Sequence, residues 1–171
     1  GMANNSVDKV ARIIRDAGGR VVGRTRLQKI AYLLTVTGLE EGFDFSYKHY
    51  GPFSEAVAAA ASLGRLLGQI KEEEQTANWG GTYSIYTVDT GASSGDGSAR
   101  RQLAAIAAEA GAIELELSAT AVFLAREGYP EPWAETARRK PEKAEGRIDG
   151  AKLLLQKLRA ISTPQEFPTN V

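Results

Sequence analysis

Between Gly23 and Leu67 the hydrophobic period changes twice, and few folds accommodate that order. Leu27, Ile30, Ala31 and Leu34 recur at helical spacing, which predicts a helix with one core face. Phe43, Phe45 and Tyr47 then alternate with Asp44 and Ser46, the period of a short strand buried on one side. After the turn signal Gly51-Pro52, Ser54 is placed to cap a third segment that is almost all alanine, a strong helix former. Two helices joined by an aromatic loop are therefore predicted here.

Upstream, Ser6 reads as the N-cap of a helix reaching Ala17, with Val7, Val10, Ile13 and Ile14 inward and Gly18-Gly19 ending it. Arg20 to Gly23 fits a minimal strand. Thr25 and Gln28 have capping-box spacing for the next helix. Downstream, Gln69 to Gln75 and Thr82 to Asp89 read as a hairpin turning at Asn78-Trp79-Gly80-Gly81. Thr90 to Ser98 is a Gly/Ser-rich linker. Helices then follow from Ser98 to Ala110 and Ala112 to Glu127; Tyr129-Pro130-Glu131-Pro132 breaks the pattern, a short segment runs around Trp133 to Arg139, and a last helix spans Ile148 to Ile161 before a loosely held tail after Thr163 that holds Pro164 and Pro168.

Helix, strand, helix, helix, hairpin is winged-helix order, so the predicted class is α+β, mostly α. The winged-helix-like core spans 2–89, the linker 90–98, and a helical extension packed on the core 99–163, all in one domain. One departure is visible: about fifteen residues separate helices that a helix-turn-helix joins with three or four. Gly1 ahead of Met2 reads as the scar of a cleaved tag.

Composition narrows the chemistry. Cysteine is absent and His49 is the single histidine. Thiolate chemistry and disulfides are excluded, and a transition-metal site is not expected. No Walker loop, dinucleotide-binding glycine motif or serine elbow occurs, so no cofactor is expected and the chain reads as non-catalytic. His49, Tyr50 and Lys29 are the only residues on which an enzymatic reading could rest. Absent cysteines and no apolar membrane-length run point to a cytoplasmic protein.

Net charge is zero, so any attraction to polyanions must be local. One basic set is Arg20, Arg24, Arg26 and Lys29; the other places eight Lys/Arg against three acids over residues 138–159. Such runs are commonly solvated helix faces. The third helix offers only Glu55, Ser62 and Arg65, and the hairpin carries Glu72, Glu73 and Glu74, which repel phosphate. Five aromatics within residues 43–53 serve either as a satellite core or as a protein-recognition surface, and Trp133, after two prolines, carries the same ambiguity.

The runs Thr25-Arg-Leu-Gln-Lys-Ile-Ala-Tyr-Leu-Leu34 and Phe45-x-Tyr47-Lys48-His49-Tyr50-Gly51-Pro52-Phe53-Ser54 resemble the uncharacterised bacterial YwgA-like proteins. They are more distantly similar to the Panacea domain of SocA-like, phage-associated antitoxins. Glu116 to Thr120 and Lys140-Pro141 also look YwgA-like. The resemblance implies a protein partner of unknown identity, in an antitoxin-like or phage-related setting. Its matching positions include Leu27, Gln28, Lys29, Tyr32, Tyr50, Gly51 and Pro52, with Gln28 and Lys29 expected to be exposed. Candidate partner-binding residues are thus Arg24, Arg26, Gln28, Lys29, Tyr32, Tyr47, His49, Tyr50 and Trp133. The alternative is a winged-helix transcriptional regulator that contacts DNA through Arg24 and Arg26.

Overall fold

Helix α2 (Arg24–Val36) is the hub, because its run from Leu27 to Leu34 is buried on every side. The computed structural model describes residues 2–89 and 98–171; the linker reading falls almost wholly on residues 90–97, outside them. Against α2 pack α1 (Met2–Asp16), α3 (Glu55–Leu66), α4 (Ala99–Glu109) and α5 (Ala112–Arg126), while α6 (Pro132–Arg139), α7 (Pro141–Ala144) and α8 (Ile148–Arg159) pack on α5. The strands are β1 (Arg20–Val22), β2 (Ser46–Lys48), β3 (Gly51–Phe53), β4 (Lys71–Thr76) and β5 (Thr82–Thr87). The fold is α+β and mostly helical.

Two small antiparallel sheets punctuate the helices. In the first, β5 lies between β1 and β4, with Val21 opposite Tyr86 and Glu73 opposite Ile85. The second is the β2–β3 hairpin, with Tyr47 opposite Pro52. This hairpin fills the long connection between α2 and α3 that the sequence exposed.

One apolar core joins both halves of the chain. Ile13 and Ile14 of α1, Ile30, Leu33 and Leu34 of α2, Leu103 of α4, Leu115 of α5 and Leu158 of α8 are fully buried within one cluster. Burying side chains of this kind stabilises by roughly 1.5–3 kcal/mol each before entropy is subtracted. Gly64 lets α3 sit close, since a Cβ there would meet Ile70 at 2.6 Å and Val7 at 3.2 Å.

Three local expectations are corrected. Helix α1 begins at Met2, leaving Ser6 inside it, because nothing in Met2–Asn5 interrupts helical dihedrals. The Thr25–Gln28 capping box does not form: Gly23, at φ 103°, precedes α2 with no side-chain cap. Gln28 instead turns to the start of α3. The tail is held firmly. The Gln165 amide donates to the Thr37 carbonyl (3.0 Å), Phe167 is buried, and Arg159 donates to the Pro168 and Val171 carbonyls.

Candidate functional site

Gln28 shows how the site is built. Its amide nitrogen donates to the Ser54 carbonyl (3.0 Å) and its oxygen accepts the Ser54 N–H (2.8 Å), all of it buried. Ser54 in turn caps α3 by accepting from the Val57 N–H at 3.2 Å. One glutamine therefore closes the gap between α2 and α3 and satisfies two backbone groups that water cannot reach. Its expected exposure is corrected: it is a structural clasp.

Beside this clasp lies a groove of about 420 Å³ between the start of α2, the β2–β3 turn, α3 and the β4–β5 sheet. Leu27, Pro52, Phe53, Val57, Ala58 and Ala61 give it apolar walls, and Tyr50 and Tyr86 add two rings. Arg24 and Lys48 stand at the same groove but are already paired, Arg24 with Glu72 (3.1 Å) and Lys48 with Glu55 (3.8 Å). Burial favours the neutral form of Glu72, but hydrogen bonds from Ser84 and Arg24 outweigh it and hold that carboxyl below the usual range.

Lys29 also lines the groove. Only 3% of its surface is exposed, against the exposure expected for it. The reason is that α5 and the residues after α6 cover the α2 face which the sequence assigns to solvent. Burial pulls its ammonium down to about 8. Glu116 acts in the opposite direction, while Lys140, Lys143 and Arg26 lower it further. Lys29 Nζ has no hydrogen-bond or ion-pair partner among the described residues; its near neighbour is the Tyr50 ring, 5.7 Å to the centroid.

Behind Lys29, Glu116 binds Lys140 at 3.0 Å and Lys143 at 2.9 Å. Lys140 also donates to the His49 carbonyl at 2.8 Å, tying the β2–β3 turn to the end of α6. The Lys143 ammonium stands 4.8 Å from the Tyr50 ring centroid. Gly51 makes this approach possible. Its φ is +104°, and a Cβ there would lie 2.8 Å from the Thr120 hydroxyl. That hydroxyl and the Tyr32 hydroxyl are buried without hydrogen-bond partners.

The remaining candidates disperse. Arg24, Gln28, Lys29 and Tyr50 meet at the groove. Tyr47 and His49 line a separate open depression of about 690 Å³ with Arg138, Arg139 and Lys143. Tyr32 is buried, edge-on to Phe45 with centroids 5.2 Å apart, so it packs rather than recognises. Burial pushes its phenol well above the ordinary range. Arg26 is committed internally, donating to the Val22, Ala107 and Ala110 carbonyls, the last at 2.6 Å, and so closing the C-terminus of α4. Trp133 lies elsewhere, against Lys152 on α8. The aromatic loop divides: Phe43 is buried, Phe45, Tyr47 and Phe53 are half-buried, and Tyr50 is exposed.

Glu116, Lys140 and Lys143 are the site residues that the candidate set lacked. For Glu116 a signal was present, since it sits between Leu115 and Leu117, both on the buried run of its helix. A charge in such a run is retained in a core only when partnered. Among the described residues no three of His, Asp and Glu gather to hold a metal ion. No helix of the described residues is long and apolar enough to cross a membrane. Neither a protein-family model nor a curated protein matches the chain.

Proposed function

We propose that this protein is a non-catalytic binding module that receives a protein partner at the groove between α2, α3 and the β2–β3 hairpin. The observation that carries this reading is the groove itself: apolar walls, an exposed tyrosine at its edge and a buried lysine without a partner. Concave, mostly apolar sites with few convergent polar groups are where binding energy concentrates. The YwgA- and Panacea-like motifs supply the finer reading, a bacterial, cytoplasmic, antitoxin-like or phage-related partner, because their residues Gln28, Lys29, Tyr50, Gly51 and Pro52 build this same corner.

One observation favours the alternative, a DNA-binding regulator. The order α1, β1, α2, β2, β3, α3, β4, β5, with β1 paired to β5, supports it, since apart from the β2–β3 insertion it follows the helix, strand, helix, helix, hairpin sequence expected of a winged helix. Its weakness lies in the cations. Arg26 and Lys29 are turned inward, Arg24 faces Glu72, and Arg138, Arg139, Lys140, Lys143 and Arg147 all pair with glutamates. Of the two basic sets, Arg20, Lys152 and Lys157 are left without a carboxylate among the described residues, scattered cations for a binding mode in which phosphate neutralisation supplies most non-specific affinity.

The test is affinity capture from native-host lysate, with and without nuclease, by the wild-type protein and by Ala58→Trp, which fills the groove. A stoichiometric protein that survives nuclease and is lost with Ala58→Trp is the expected result. Recovery that depends on nucleic acid moves the regulator to first place, and a partner indifferent to Ala58→Trp overturns the groove as the contact surface.

A further inference from the structure

We propose that the groove captures the C-terminal residue of a partner polypeptide, its apolar side chain on the walls of α3 and β3 and its free carboxylate on Lys29. This rests on the binding-module reading and names the chemistry of the occupant.

Two observations at the groove call for an anion. Lys29 is more than nine-tenths buried, lines the cavity, and has no hydrogen-bond or ion-pair partner among the described residues. The buried side-chain atoms that lack partners among the described residues are the Tyr32 and Thr120 hydroxyls, so the Lys29 ammonium keeps an opening onto the groove. A charge on a stem this deeply buried is poorly solvated, and an entering carboxylate pairs it. The second observation is local charge. On the inner side, three ammonium groups, Lys29, Lys140 and Lys143, share the single carboxylate of Glu116, which already takes two of them at 3.0 and 2.9 Å. At the rim Arg24 faces both Glu72 and Glu74 and Lys48 faces Glu55, three carboxylates against two cations, so no positive charge is left over there. The surplus is therefore positive and centred behind Lys29, with Arg26 adding to it.

The apolar walls decide which carboxylate fits. An aspartate or glutamate side chain would reach Lys29 but leave Pro52, Val57, Ala58 and Ala61 facing unfilled space. A chain terminus carries an apolar side chain and a carboxylate on one residue, so it satisfies both. About 420 Å³ sits near the lower end of the roughly 300–1,000 Å³ of small-ligand sites, enough for a terminal residue or two. The preceding residues leave past Tyr50, which is 54% exposed at the mouth.

The probes are fluorescein-labelled tetrapeptides ending in Val, Leu, Ile or Phe, each as free acid and as C-terminal amide, read by fluorescence anisotropy at pH 7. N-acetyl-leucine serves as a competitor representing a free small acid. We expect at least one free acid to bind tenfold or more tightly than its amide, with that preference lost in Lys29→Met and kept in Lys29→Arg. Affinity should fall as pH rises through about 8 and Lys29 loses its proton. Equal binding of acid and amide, binding unchanged in Lys29→Met, or no binding by any peptide overturns the proposal. Competition by N-acetyl-leucine as strong as by the tetrapeptides also overturns it, assigning the groove to a small acid. A native partner captured equally by wild-type and Lys29→Met, yet blocked by Ala58→Trp, sinks the terminus reading and leaves the binding module standing.

Discussion

At the scale of the residue, Lys29 carries the sharpest consequence. An ammonium held at about 8 in the folded chain returns to the ordinary lysine value of 10.5 when unfolded. Between those values the unfolded state binds more protons, so this group's contribution to stability rises with pH there and is unfavourable below about 8. Lys29→Met, similar in length and uncharged, should therefore be more stable than wild type at pH 7. The advantage should shrink as pH rises from 8 towards 10.5. Urea unfolding of both proteins at pH 7 and pH 10 checks this, and a constant gap would contradict it. The burial of Lys29 was not legible from its neighbours in sequence. Helical spacing puts it beside the core face of Leu27, Ile30 and Leu34, but distant residues, Glu116, Lys140 and Lys143, cover it. Periodicity reports one face of a helix and says nothing about how many partners surround that helix.

At the scale of the element, the joint between α2 and α3 depends on side-chain bonds rather than on a tight turn. Replacing Gln28 by leucine keeps the apolar bulk but leaves the Ser54 N–H and carbonyl buried and unpaired. Each such group costs about 1–3 kcal/mol, so thermal unfolding of Gln28→Leu should fall by several degrees. A melting temperature within one degree of wild type would show that water replaces the clasp. Most elements were readable in advance because their signals are local. Ser54 caps α3 as its position predicts, and β4 and β5 pair around the predicted turn. The capping box was misread because Thr25 and Gln28 have the right spacing, yet Gln28 finds a partner 26 residues away. The partners of the two basic sets were equally illegible. Arg26 ends α4 from within α2, and a list of cations cannot show which carbonyls and carboxylates they meet.

At the scale of the whole molecule, α4 to α8 and the segment beyond them complete the core that α1 to α3 begin. Phe167 joins that core with 3% of its surface exposed. Truncation to alanine should destabilise the protein by about 3–5 kcal/mol, as for other buried aromatics, measured by urea unfolding; a loss below 1 kcal/mol would restore the loosely held tail. The prolines near it suggested looseness, but proline fixes backbone dihedrals and says little about what the neighbouring ring touches. The hydrogen bond from Gln165 to the Thr37 carbonyl has a further meaning in time. A ribosome makes the hub helix early and the segment that closes its end late. A nascent chain paused before Pro164 has Thr37 open and the bed of Phe167 bare.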